Sequence, residues 1–206
     1  MNPQDTVQGS DEWKLAKLGK FSASRLGDLT AKGQGKTRAG YILEIVAERL
    51  SGMSCGFEGN ADTEFGTEQE PISRRFYEDQ FSCFVEQVGF IPHPALATAG
   101  ASPDGIILDV RGLELKAHRK PITHLKAIEG EIPKDHLYQC QFGMSCTGLP
   151  EWHYGNWCPF MPDHLKLHIR TVKRDDSIIA ELVVAIRDAE IEAAALVAKY
   201  MKGAKA

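Results

Sequence analysis

The stretch Ser102-Pro103-Asp104-Gly105-Ile106-Ile107-Leu108, the turn Asp109-Val110-Arg111-Gly112 and the run Leu113-Glu114-Leu115-Lys116 decide how this chain folds. Ile106, Ile107 and Leu108 read as a strand, and the four residues after them carry turn chemistry. In the second strand Glu114 and Lys116 are two apart, so both side chains leave the same face. Leu113, Leu115 and Ala117 leave the other face, towards a core. A hairpin that folds Asp104 back beside Glu114 brings two carboxylates and an ammonium together. Carboxylate oxygens suit a hard divalent ion, Mg²⁺ or Mn²⁺, which keeps open positions for water and phosphate. The lysine is then placed to orient a water or to meet charge that builds on a phosphate. Against this stands a plainer reading, in which Asp-Gly is a common turn and Glu-x-Lys an ordinary solvated strand face. Motifs elsewhere in the chain separate the two.

With 206 residues and 43% hydrophobic content, the chain has enough for one domain with a proper core, 1–206. Residues 1–9 are polar and expected to fray. The sequence has no twenty-residue apolar run and no signal-peptide pattern, so the expectation is a cytoplasmic protein with no membrane partner. Cys55, Cys83, Cys140, Cys146 and Cys158 are an odd number without a Cys-x-x-Cys pair. That argues against a disulfide framework, a zinc site and an iron–sulfur cluster, and for small buried side chains. The net charge of −4 hides an asymmetry, because from Lys14 to Arg38 seven basic residues face one acid, Asp28. A local basic field of this kind draws a phosphate backbone. Lys32 and Lys36, in the flexible basic loop 31–37, are candidates to track DNA. That loop lacks the Gly-x-x-x-x-Gly-Lys spacing and follows no buried strand, so it is not a nucleoside-triphosphate cradle.

Taken in order, Ser10 or Asp11 caps a short helix over 12–18, anchored by Trp13 and Leu18 and stopped by Gly19. Phe21-Ser22-Ala23-Ser24 opens a second short helix with Ser22 as cap. A helix N-terminus with a hydroxyl and a nearby lysine is a natural phosphate pocket, and Lys17 and Ser24 are the candidates for it. The pattern over 38–50 is an amphipathic helix with Tyr41, Ile42, Ile45, Val46 and Leu50 on its core stripe. Phe65, Gln69, Ile72 and Phe76 also fall at helical spacing, with Pro71 inside the pattern, so that helix begins near Glu68 or kinks. Glu70 is placed to serve as a third carboxylate, or simply enriches a helix N-terminus. Strands are expected over 83–91 and 95–98, a basic turn over 117–121 and a helix over 121–128. A stronger helix follows over 134–147, ended by Gly148 and carrying Gln139 and Gln141. Strands over 151–158 and 165–173 and a last helix over 175–201 complete an α/β chain with a mixed central sheet flanked by helices. The histidines form no His-Glu-x-x-His motif, and His164 and His168 are taken as structural. No Gly-x-Ser-x-Gly elbow is present.

Asp104, Glu114 and Lys116, in Ser-Pro-Asp-Gly…Leu-Glu-Leu-Lys, resemble the PD-(D/E)xK nuclease core. The surrounding order is similar to the phage lambda exonuclease family of YqaJ-type viral recombinases, or alkaline exonucleases. Trp13…Lys17-Leu18-Gly19…Ser22-Ala23-Ser24, Gly66-Thr67-Glu68-Gln69-Glu70-Pro71 and Tyr138-Gln139-Cys140-Gln141 match in the family's order. The resemblance implies a restriction-endonuclease-like α/β core. It implies processive 5′→3′ degradation of one strand of duplex DNA with Mg²⁺, leaving a 3′-ended single strand for annealing recombination. By the same resemblance Asp104, Glu114 and the Leu115 carbonyl hold metal, two ions in all, with Glu70 near the second and Mn²⁺ able to substitute. Lys116 positions or activates water, and Gln139 stands on the active-site helix. Lys17 and Ser24, with Ser102 close by, match the residues that hold the 5′-phosphate; lysine at 17 keeps the charge of the family's arginine without its bidentate geometry. A ring-shaped homotrimer and a single-strand annealing partner are implied too.

Three alternatives keep parts of this reading. The same fold serves structure- or site-specific endonucleases, which a covalently closed circle distinguishes. A nuclease relative with an iron–sulfur cluster is disfavoured by the scattered cysteines. A DNA-binding module without catalysis is disfavoured by the complete Asp104, Glu114, Lys116 set.

Overall fold

The computed structural model describes residues 5–31, 35–55 and 60–203. Among the described residues, seven strands divide into two mixed sheets rather than one. The first has the order β1-β3-β2, from Phe21–Ser22, Leu96–Ala101 and Ile91–His93, with β1 parallel and β2 antiparallel to β3. The second has the order β4-β5-β6-β7, from Gly105–Ile107, Arg111–Ala117, Glu151–Trp157 and Leu167–Lys173. Its central pair β5/β6 is parallel, and both outer pairs are antiparallel. Pro92 sits in the edge strand β2, where a missing N–H costs least.

The hairpin lies where the sequence puts it. Ile106 pairs with Gly112 and Ile107 with Arg111, so Arg111 and Gly112 belong to β5 and the turn is Leu108–Asp109–Val110. Leu108 and Asp109 both adopt positive φ, 49° and 53°, and Val110 N–H donates to Ile107 O at 3.0 Å. Gly112 is required by its neighbour, since a methyl carbon there would lie 2.3 Å from the Trp152 ring.

Helix α6 (Lys134–Thr147) lies between the sheets and matches its expected bounds. Tyr138, Phe142 and Cys146 join the core formed with Phe21, Leu26 and Ile42 and with Leu182 and Ile186 of α8 (Asp176–Gly203). Its Cys140 and Met144 pack with Trp152, Tyr154 and Val172 against one face of the second sheet. A helix buried on most sides needs no polar face, which accounts for its weak amphipathic pattern. Leu113 and Leu115 point the other way, into a cluster with Tyr77, Val85, Trp157 and Leu167. Tyr77 comes from α4 (Ala61–Phe81). Within that cluster's edge His153 bridges two elements: Arg111 donates to Nε2 at 3.1 Å, so the ring proton sits on Nδ1 and donates to Tyr77 Oη at 2.8 Å.

Several expectations are corrected. Residues 83–90 are not a strand: Glu86 makes an isolated bridge to Ile106, while Ile91 already opens β2 in the other sheet, so the segment crosses between sheets and stays in neither ladder. Helix α4 starts at Ala61 and runs through Pro71, because Asn60 caps it by accepting from the N–H groups of Asp62 and Thr63. Ile72 and Leu50 are exposed rather than core, at 52% and 40%. Helix α3 (Lys36–Ser51) begins two residues early. Ser22 precedes a 3₁₀ turn, Ala23–Arg25, without making a capping bond; α2 (Leu26–Thr30) follows. A short helix α7 (Asp163–Lys166) stands where the strand over 165–173 was expected to begin. Of residues 1–9, expected to fray, 1–4 lie outside the described residues, and Gln8 is anchored: its Nε2 donates to Pro103 O at 2.7 Å and to Val88 O at 3.2 Å. Among the cysteines, Cys140, Cys146 and Cys158 are buried, Cys83 is half-buried and Cys55 is exposed.

Candidate active site

The link from β3 to β4 delivers Asp104, and β5 delivers Glu114 and Lys116. Asp104 N–H donates to Leu113 O at 3.1 Å, and its Oδ2 accepts from Leu115 N–H at 2.6 Å. An extended residue sends its N–H and C=O to the same edge of the strand. The Leu115 carbonyl therefore also faces the edge that β4 has vacated, beside the Asp104 carboxylate. Glu114 is 3% exposed and accepts from Lys116 Nζ at 2.6 Å. The same Nζ donates to Gln139 Oε1 of α6 at 3.2 Å. Glu70 comes from the middle of α4, ion-paired with Arg74 one turn on, and its charge is felt at Asp104. The five residues Asp104, Glu114, Lys116, Gln139 and Glu70 are thus brought to one place.

The electrostatics of this place are unfavourable to its own carboxylates. Burial, then the charges of Glu114 and Glu70, push the Asp104 carboxyl well above the usual range. Burial also raises Glu70, with Arg74 opposing it. Burial alone would lower Lys116, but Glu114 and Asp104 outweigh it and hold the ammonium above its usual pKa. Crowded carboxylate oxygens of this kind are what a hard divalent cation neutralises. Among the described residues no three His, Cys, Asp or Glu side chains stand already gathered as a ligand set. The donors that fit an ion are therefore two carboxylates and a carbonyl (Asp104, Glu114, Leu115), completed by water. All are oxygen, which suits Mg²⁺ or Mn²⁺.

A second cluster lies beside the first sheet. Lys17, in the last turn of α1 (Asp11–Lys17), and Ser24 line a cavity of about 840 Å³ with Trp13, Lys20, Ser22 and Arg25. Lys17 Nζ stands 3.9 Å from the Trp13 ring centroid, and burial brings its pKa down to about 8, with Glu48 opposing. Ser24 Oγ is 3.2 Å from Ser22 Oγ. Ser102 is reached through Trp13, whose indole N–H donates to Ser102 Oγ at 3.0 Å. Trp13 thus joins the cavity to the loop that carries Asp104, a role its reading as a mere anchor missed. The basic segment is less naked than its composition: Lys14 pairs with Asp11, Arg25 with Asp28 and Glu44, and Arg38 with Glu192. Lys17, Lys20 and Lys36 make no ion pair among the described residues. Lys36 is exposed at the start of α3, and Lys32 lies outside the described residues.

Residues 12–150 match the YqaJ-like viral recombinase domain. An alkaline exonuclease (LHK-Exo) from Laribacter hongkongensis is similar at 33% identity and TM-score 0.88, over 95% of this chain and 98% of that one. The same enzyme in complex with dAMP gives 32% identity and TM-score 0.88 over the same shares. A phage-related exonuclease from Haemophilus somnus 129PT shares the fold, at TM-score 0.71 and 14% identity over 88% of this chain and 96% of that one. No curated protein matches the chain. No helix among the described residues is long and apolar enough to cross a membrane. The domain match begins in α1 and ends just past α6, so it takes in both clusters described above, and the mixed sheets with flanking helices are the restriction-endonuclease-like arrangement: the chain belongs to the YqaJ-like viral recombinase family.

Proposed function

We propose that the chain is an exonuclease on double-stranded DNA ends, degrading the 5′-ended strand 5′→3′ and leaving a 3′-ended single strand for annealing recombination. One observation carries the reading: Lys116 Nζ is bonded to both Glu114 and Gln139, and Asp104 accepts from the N–H of Leu115, the residue between Glu114 and Lys116. The 33% identity to an alkaline exonuclease over nearly the whole chain supports it.

Asp104, Glu114 and the Leu115 carbonyl would hold Mg²⁺, with Glu70 beside a second ion. When bound, such ions neutralise the phosphate and lower the pKa of a nucleophilic water. Lys116 orients that water and presents fixed charge to the phosphate, at no reorganisation cost because its Nζ is already anchored. Gln139 holds the ammonium on its far side. Lys17, Ser24 and Ser102 receive the 5′-phosphate, and Lys36 and Lys32 meet the backbone. A homotrimer ring and a single-strand annealing partner complete the proposal, on the family resemblance.

The test is a time course on linear duplex labelled at the 5′ or the 3′ end, with and without Mg²⁺. Early release of the 5′ label, only with metal, is expected, and a covalently closed circle stays intact. Asp104→Ala and Lys116→Ala are expected to lose cleavage and keep duplex binding. Loss of the 3′ label first, or nicking of the circle, overturns the proposal.

A further inference from the structure

Tyr154 stands directly across from Glu114 in the parallel β5/β6 register, so it shares the sheet face that carries Glu114 and Lys116. It is buried, and its hydroxyl lies 2.7 Å from His136 Nδ1. Among the described residues that nitrogen is the hydroxyl's only acceptor. A buried hydroxyl proton left without an acceptor costs the full desolvation of the group, so Tyr154 donates and Nδ1 accepts. The ring proton is thereby placed on Nε2. His136 lies one turn before Gln139 on α6, on the same helix face as the glutamine that holds Lys116. Nε2 makes no hydrogen bond among the described residues, and it is not one of the buried nitrogens without a partner. A fixed donor thus stands open beside the proposed cleavage site with no acceptor among the described residues.

We propose that His136 is a further substrate-contacting residue, its Nε2–H donating to a phosphate oxygen of the strand being cut. The inference rests on the nuclease reading above. It assigns His136 hydrogen bonding, not proton transfer. Burial, then the charges of Lys116 on β5 and of His118 just beyond it, bring the His136 pKa down to about 4, with Tyr154 on β6 bonded to the ring. The ring is therefore neutral wherever the enzyme is expected to work, and a neutral donor adds no second cation beside Lys116. A plainly structural histidine, present only to satisfy Tyr154, would have no reason to leave Nε2–H open beside the anchored lysine.

The test uses single-turnover cleavage of a 5′-phosphorylated duplex with Mg²⁺. Fluorescence anisotropy on the same duplex in EDTA and thermal melting accompany it. His136→Leu is expected to cleave about tenfold slower or worse, as expected for a lost transition-state donor, and to bind the duplex several-fold more weakly without metal. His136→Gln, which keeps an N–H donor, is expected within about threefold of wild type in both. The shape of the pH–rate profile from pH 6 to 9 is expected to be the same in all three, because the group does not titrate there. If His136→Leu does not melt cooperatively, Tyr154→Phe carries the test: it frees the tautomer and is expected to slow cleavage a few-fold. Wild-type rates in His136→Leu, or in Tyr154→Phe where that variant carries the test, overturn the inference. So does an ionisation that vanishes with His136. A wild-type chain inert on DNA overturns the reading of function itself.

Discussion

Lys17 and Lys116 sit under opposite pressures. Burial lowers the first to about 8, and neighbouring carboxylates hold the second above its usual value. Lys17 is charged below pH 8 and neutral above it, and its buried charge costs stability that is recovered as pH rises from about 8 towards 10.5. Preference for 5′-phosphorylated over 5′-hydroxyl ends is therefore expected to fall between pH 7 and 9. Lys17→Arg should hold the preference level, and competition digests of the two ends read it directly. Asp104 carries the opposite burden: its raised pKa means the ionised group costs stability as pH rises above the ordinary carboxylate range. Asp104→Asn is expected to stabilise the metal-free protein by about 1 kcal/mol. Mg²⁺ should raise the melting midpoint of the wild type and leave that variant unmoved. Of the proposed trio, Glu114 and Lys116 were legible because a two-residue spacing fixes a strand face, and Asp104 because Asp-Gly begins the hairpin that folds back on them. Trp13 and Tyr154 were not, because each acts through a bond to another element, and no local spacing encodes that; Arg74, one helical turn after Glu70, had a local spacing to mark it.

Among the elements, the β4–β5 hairpin stores the most evident backbone strain. Leu108 is 76% exposed and adopts a φ that costs ordinary L residues about 1–2 kcal/mol. Leu108→Asn or Leu108→Gly should gain about 0.5–1 kcal/mol, read from a urea midpoint, without changing cleavage. Gly112→Ala, which drives a methyl into Trp152, should lose about 1–3 kcal/mol in the same measurement. Helix α6 could be bounded from sequence because Pro133 and Gly148 punctuate it and most of its faces are apolar. Residues 83–91 could not be placed, since a run of strand-like residues looks the same whether it pairs once or along its length. The start of α4 was hidden because Pro71 is itself a strong signal for a first helical turn and competes with the capping Asn60.

For the molecule as a whole, charge pairing matters more than charge count. If all seven basic residues from Lys14 to Arg38 met phosphates, the log–log salt dependence of duplex binding would approach a slope of about −6. With Lys14, Arg25 and Arg38 already paired, four remain, and a slope of about −3.6 per chain is expected from this segment, read from binding titrations at several salt concentrations. The sequence showed an α/β chain but not two sheets, because strand order is set by contacts between distant segments. Their division has a mechanical outcome. Ser102 is tethered to Trp13, which belongs with the cavity beside the first sheet, whereas Asp104 is bonded into the second. Only Pro103 separates them, so the cavity beside the first sheet and the carboxylate cluster of the second are held apart by a fixed gauge. On the proposed function, one residue inserted there would change the length of fragment released before it changed the rate of release.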